Sequence, residues 1–178
     1  MSKRIQPAPT DKSIDPAGEF SMNVPEQLFY LLFQIVRHRD SGFEVELAPI
    51  GLTVARWRTL AIVRRMDGCT MKELARYSTV DRTTLTRSVD HLVVEGLVDR
   101  HVPPKDRRQV VLTLTPAGLE IYDKAASLLM DYNRRLVRGI APEAQRDLTR
   151  TMEAVLFNLF DNPAEPEAII KFGRESAG

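Results

Sequence analysis

The chain has 178 residues, 43% of them hydrophobic and 28% charged, with a formal net charge of +1. That balance suits one globular domain with a sizeable core and room for tails. No run of about 18 apolar residues is present to span a membrane, and the basic start Met1-Ser2-Lys3-Arg4 has no apolar run behind it to act as a secretory signal. The expected location is therefore cytoplasmic. Cys69 is the single cysteine and the three histidines are scattered, which excludes an intrachain disulfide and any zinc-ligand spacing. The net charge by itself says little about partners, so the argument turns on where the charges sit.

Residues 1–23, with Pro7, Pro9, Pro16 and Gly18, read as a flexible N-terminal arm. A first helix is expected at about 25–48, with Leu28, Leu32, Ile35 and Phe43 on one face, ended by Pro49-Ile50-Gly51. A second helix follows Thr53 and turns Val54, Trp57, Leu60 and Ala61 inward; Asp67-Gly68 breaks it.

Thr70-Met71-Lys72-Glu73 then reads as a capping box opening a short helix, with Leu74 and Ala75 inward. Ser78-Thr79-Val80 makes a three-residue turn. Asp81 caps the next helix, Val80 and Leu85 form a hydrophobic staple, and Leu85, Val89, Leu92 and Val93 form the buried stripe up to Gly96. After Gly96 the pattern becomes extended: Leu97–Val102 and Gln109–Thr115 read as two strands joined by a basic loop, Pro103–Arg108. Thr115 and Pro116 open a long helix over about 116–138, and Pro142 opens another to about Phe160 with Leu148, Met152, Val155, Leu156 and Leu159 inward. Residues 161–178 read as a C-terminal tail with at most a short helix around Ala168–Phe172.

Two short helices joined by a tight turn and followed by a hairpin give the element order of a winged helix-turn-helix. At about 100° per residue, a helix that buries Leu85, Val89, Leu92 and Val93 points Thr83, Arg87 and Asp90 outward, flanked by Thr84 and His91, with Arg82 at its exposed start. Arginine pairs bidentately with guanine, and threonine meets base edges, phosphates or the thymine methyl. Lys105, Arg107 and Arg108 form a basic wing tip fit to follow phosphates or enter a narrow minor groove, with Asp106 orienting a neighbouring arginine. Residues 70–118 hold eight Lys/Arg against six Asp/Glu, so the positive charge is concentrated at two edges rather than spread over a surface. The alternatives are an ordinary helical corner, or a winged helix used only for protein contacts without DNA binding. An enzyme is disfavoured, because there is no G-x-S-x-G, no glycine-rich phosphate loop and no companion nucleophile for His38, His91 or His101.

The sequence resembles the MarR family of winged helix-turn-helix regulators. The resemblance rests on Leu74-Ala75, on Asp81–Arg87, on Glu95-Gly96-Leu97-Val98, and on Asp106-Arg107-Arg108 leading through Leu112-Thr113-Leu114-Thr115-Pro116-Ala117-Gly118. It implies a mainly α fold with a small β-hairpin wing. The family-like domain spans 24–160, with the winged helix-turn-helix at about 53–118 and dimerisation helices at about 25–48 and 116–160. It further implies an obligate homodimer on a pseudo-palindromic double-stranded DNA operator, acting as a repressor released by a small ligand, without metal or cofactor. On the match, Asp106 and Arg108 take the family's wing-tip roles, and Thr83, Thr84 and Arg87 fall in its recognition helix.

Arg39 lies by angle within the apolar stripe of the first helix, between Ile35 and Phe43, where an unpaired charge is costly. It requires Glu46, an acid of the other subunit or a bound anion as partner. Because family pockets lie between the first two helices and the long fifth and take aromatic carboxylates, the resemblance makes Arg39, His38, Trp57, Arg58 and Phe43 the candidate effector residues. The expected effector is an aromatic acid or its coenzyme A thioester, with Trp57 as plain core the simpler reading. Cys69 is not expected to be the primary sensor, since no second cysteine can resolve a sulfenic acid.

Overall fold

A computed structural model describes residues 23–102 and 109–174. The chain divides into two compact units, with the boundary between Asp40 and Ser41 inside the first helix, α1 (Val24–Leu47). In the first unit, α1 begins with a reciprocal cap: the Glu26 amide donates to the Asn23 side chain and the Asn23 amide to the Glu26 carboxylate. Its apolar residues are left largely uncovered. Phe29, Tyr30, Leu31, Phe33, Ile35 and Val36 are each about half exposed or more.

The second unit contains the rest of α1 and a short 3-10 turn, Ala48–Ile50, closed by Gly51 in the left-handed region. Then come α2 (Val54–Arg65), β1 (Cys69–Thr70), α3 (Met71–Tyr77), α4 (Arg82–Val94), β2 (Val98–His101), β3 (Val111–Leu114), α5 (Pro116–Leu136), α6 (Pro142–Asn158) and α7 (Ala164–Arg174). Thr53 caps α2 by accepting from the Arg56 amide, and the Glu44 carboxylate accepts from the Val54 amide at 2.7 Å. Side-chain oxygens thus satisfy two of the free donors at that helix start. Beyond α2 the backbone reverses through Asp67 (φ 49°) and Gly68 (φ 104°).

The core gathers Phe43, Leu47, Leu60, Val63, Leu74, Leu85, Val89, Leu92, Val98 and Leu112, each at most 1% exposed. It is the common product of the apolar stripes of α2 and α4 and the inner face of the sheet. That sheet has three antiparallel strands in the order β1-β3-β2, one more than the hairpin predicted from sequence. Cys69 pairs with Leu112 and Thr70 with Val111. Two residues are too few to show the alternation that marks a strand, and Thr70 is at once the end of β1 and the cap of α3.

Three side-chain expectations change. Ala75 is exposed, because Leu74, with Met71 and Tyr77 partly buried beside it, fills the inner face of a helix only two turns long. Leu148 of α6 and Leu159 just past its end are more than half exposed, while Met152, Val155 and Leu156 are half-buried. The segment read as a C-terminal tail forms an 11-residue helix, α7, with Asn162 capping its start through the Ala164 amide. The N-terminal arm lies outside the described residues.

Candidate nucleic-acid interface

The geometry of the site begins at the cap of α4. One Asp81 carboxylate oxygen accepts from the amides of Thr83 and Thr84, both at 2.9 Å, and the other accepts from the Thr84 hydroxyl at 2.6 Å. These bonds, led by the Thr84 hydroxyl, hold the Asp81 pKa below its ordinary value. Leu85, Ser88, Val89 and Leu92 fasten one side of α4 to the core, which leaves Arg82, Thr83, Thr86, Arg87, Asp90 and His91 exposed on the other. Arg82, Thr83 and Arg87 therefore stand on the open face as predicted. Thr84 is half-buried and spends its hydroxyl on the cap. With Asp81 already occupying the amides, the helix start is not the open phosphate site that a bare N-terminus offers.

Thr86 and Ser88 were missed by the sequence reading. Thr86 is exposed, one helical step to the side of Thr83, and its hydroxyl donates back to the Arg82 carbonyl at 2.9 Å. A wider angular window would have included it. Asp90 is drawn to the wing: it pairs with Arg100 of β2 at 2.5 Å, tying the middle of α4 to the first wing strand. The far end of α4 is held by Arg56 of α2, which pairs with Glu95 and donates to the Gly51 carbonyl. Burial lowers the Arg56 pKa, and its Nε has no hydrogen-bond partner.

The capping box on α3 is complete. The Thr70 oxygen accepts from the Glu73 amide, and the Glu73 carboxylate accepts from both the Thr70 amide and hydroxyl at 2.8 Å. Lys72 and Arg76 of α3 line a cleft of about 810 Å³ together with Gln109 and Val110, which lead from the wing tip into β3. Neither cation was singled out from sequence; the pairing of β1 with β3 brings α3 beside that segment. The wing strands run in register from Val98 opposite Leu114 to His101 opposite Val111. Lys105, Asp106, Arg107 and Arg108, the predicted wing tip, lie outside the described residues.

The predicted effector residues fall into different surroundings. Phe43 and Trp57 are core residues in edge contact with each other, ring centres 6.3 Å apart. Phe43 also stacks on Tyr132, and Trp57 stacks on Tyr122, so an aromatic file joins the end of α1, α2 and α5. Arg58 is half-buried. In the first unit, His38 is exposed and Arg39 is half-buried, its guanidinium 3.3 Å from the Asp40 carboxylate. Glu46, named from sequence as a possible partner for Arg39, pairs with Arg135 of α5. Cys69 is buried. Its thiol is pushed up to about 11 by burial and by the Glu73 charge, the opposite of an acidic thiol at a helix start. Among the described residues, no His, Cys, Asp and Glu cluster is arranged to hold a metal ion, and no helix is long and apolar enough to cross a membrane.

Residues 50–109, which include α2 to α4 and β2, match the family model described as the MarR family. The HTH-type transcriptional repressor IacR of Pseudomonas putida is 27% identical over 145 residues, covering 82% of this chain and 86% of that one. The multiple antibiotic resistance protein MarR of Escherichia coli is 28% identical over 127 residues, 71% of this chain and 88% of that one. Among solved structures, a MarR-family regulator from Silicibacter pomeroyi superposes with a TM-score of 0.67 at 28% identity over 79% of this chain and 94% of that one. A mutant E. coli MarR complexed with operator DNA superposes equally well, with a TM-score of 0.67 at 28% identity over 75% of this chain and 94% of that one.

Proposed function

Because this chain belongs to the MarR family, we propose that it is a sequence-specific DNA-binding transcriptional repressor, acting as a homodimer and released from its operator by a small anionic aromatic ligand. The observation that carries the DNA reading is the face of α4. Arg82, Thr83 and Arg87 stand exposed on one side of a helix whose other side is locked into the core, the arrangement that presents side chains to a major groove. The complex of the similar E. coli protein with operator DNA supports it. In this reading Arg87 meets a base edge, Arg82 and Thr83 the phosphates or base edges beside it, Thr84 supports the cap, and Lys105, Arg107 and Arg108 contact the backbone with Asp106 orienting them.

The exposed apolar residues support a dimer. Leu136, Val137, Ile140, Leu148, Phe157 and Leu159 on the helices after the wing lack cover, as do Phe29, Phe33 and Ile35 on α1. That is more apolar surface than a soluble monomer commonly leaves in contact with water. The effector half of the reading draws on the aromatic file around Trp57, since α2 leads directly into β1 and the cap of α3. Ligand release requires unequal affinity for the two states of the dimer.

The test is fluorescence anisotropy with duplex DNA from upstream of the protein's own gene and with a scrambled duplex, at several salt concentrations. Preference for the upstream duplex and steep salt dependence are expected. Binding to neither duplex would leave a protein-contact module. Thermal stabilisation by aromatic acids and their coenzyme A thioesters, followed by operator release, tests the effector. Arg39→Ala and Arg58→Ala, made separately, test which guanidinium meets the anion; the one that does keeps ligand-free operator affinity and loses the response.

A further inference from the structure

Helix α7 lies outside the stretch that matches the family model, yet it packs on the helix-turn-helix. The Phe172 ring stacks on Tyr77, ring centres 4.1 Å apart and planes 11° from parallel. Tyr77 is the last residue of α3, immediately before the turn that delivers Asp81 and the start of α4. The same Phe172 ring lies 4.3 Å from the Arg65 guanidinium carbon at the end of α2, and Arg65 also donates to the Phe172 carbonyl. Pro166 is fully buried, and Arg174 reaches both carboxylate oxygens of Glu153 on α6 at 2.8 and 3.0 Å. One residue of α7 thus touches the ends of the two helices that lead into the recognition helix.

We propose that α7 is a latch that holds the helix-turn-helix in its DNA-reading arrangement, with Phe172 a positioning residue acting through Tyr77. The proposal rests on the reading of α4 as the recognition helix. The physical argument is one of leverage. The turn at 78–80 is held by Val80, which packs against the core, and by two hydrogen bonds: the Ser78 amide bonds back to the Leu74 carbonyl, and the Val80 amide to the Ser78 hydroxyl. A flat aromatic on Tyr77 removes the freedom of α3 to roll, and with it the freedom of Asp81 to change the angle at which α4 leaves the turn. Base readout depends on that angle more than phosphate attraction does, so losing the latch should cost sequence preference before it costs DNA binding as such.

The full-length protein is compared with Phe172→Ala, Phe172→Leu, Phe172→Tyr and the pair Tyr77→Ala and Tyr77→Ala/Phe172→Ala. Amide hydrogen exchange without DNA should quicken in residues 78–85 for Phe172→Ala and Phe172→Leu, stay unchanged in α5, and return to the native rate in Phe172→Tyr, which keeps the ring. Operator affinity should fall about tenfold in Phe172→Ala with scrambled-DNA affinity unchanged, and the double variant should lose no more than Tyr77→Ala alone. Native exchange at 78–85 together with native operator affinity in Phe172→Leu would overturn the latch. So would exchange that rises uniformly through the domain, or equal losses on operator and scrambled DNA, since a merely structural role predicts those. If the native protein binds neither duplex, the reading of α4 falls instead, and exchange at 78–85 still decides whether α7 restrains the turn.

Discussion

Gly118 sits where α5 begins, fully buried, and its amide donates to the capping Thr115 hydroxyl oxygen at 3.0 Å. A methyl group there would stand 1.9 Å from the Leu97 carbonyl oxygen and 2.9 Å from its carbon. Both are backbone atoms leading into the wing, so no side chain can swing aside; the helix and the strand must separate by roughly 1.5 Å to restore van der Waals contact. The Leu97 oxygen is also the acceptor of the Thr115 amide at 3.1 Å, and that bond is strained by the same movement. Overpacking of this kind costs about 1–3 kcal/mol, and a weakened backbone hydrogen bond adds about 1 kcal/mol. Gly118→Ala should therefore lose about 3 kcal/mol, or about 6–12 °C in Tm for a domain of this size. Gly173→Ala in α7 is the matched control: nothing lies within 4 Å of its added carbon, and replacing a helical glycine should leave Tm unchanged or raise it slightly. Thermal unfolding by circular dichroism at equal protein concentrations measures both. Two variants with the same Tm would refute the reasoning, because they differ in what the new methyl meets and not in its chemistry.

Arg87→Ala should weaken operator binding by about 1–3 kcal/mol and relax preference at one symmetric pair of positions; equal losses on operator and scrambled duplex in anisotropy titrations would assign Arg87 to a phosphate. The Asp81 carboxylate is held below its ordinary pKa by the Thr84 hydroxyl and the amides it accepts, so its stabilisation of α4 is complete above the unfolded carboxylate range near about 4 and is lost as pH falls through the lowered folded value. Asp81→Asn should flatten the acid limb of a denaturation profile while keeping the helix, and an unchanged limb counts against the cap. Cys69, buried and pushed up to about 11, should resist iodoacetamide at pH 8 in the native protein and react promptly in denaturant, as mass spectrometry will show; rapid native alkylation would reopen a sensor role. Sedimentation should give a dimer wherever the chain is folded, and a folded monomer near 20.2 kDa would contradict the reading of the uncovered helices.

The elements most legible in the sequence are those whose ends carry their own chemistry. Thr53, Thr70, Asp81 and Thr115 each announced a helix start, and each accepts the backbone hydrogen bond that its position demands. Arg82, Thr83 and Arg87 were legible because the buried positions of α4 fix the opposite face by angle alone. What escaped is what depends on a partner distant in sequence. β1 exists through its pairing with β3, and Lys72 and Arg76 acquire meaning from the segment before β3 that lies beside them. Arg39 is placed by angle in a stripe, and its guanidinium also meets the adjacent Asp40, a contact that helical periodicity disregards because neighbours in sequence point apart.

The same distinction bears on how operator reading is built into this chain. The face of α4 is encoded locally, by its cap and its stripe, and would form on any scaffold that buries Leu85, Val89 and Leu92. Its direction is set elsewhere. Arg100 holds Asp90 in the middle of the helix, and Arg56 holds Glu95 just past its end and the Gly51 carbonyl at the elbow before α2. Arg56 is the more consequential tie. Its side chain is only 15% exposed and its Nε lacks a partner, so breaking the pair with Glu95 strands a largely buried side chain, whereas breaking the exposed pair of Arg100 and Asp90 returns both charges to water. The elbow before α2 and the far end of α4 are thus joined through one side chain whose release is costly.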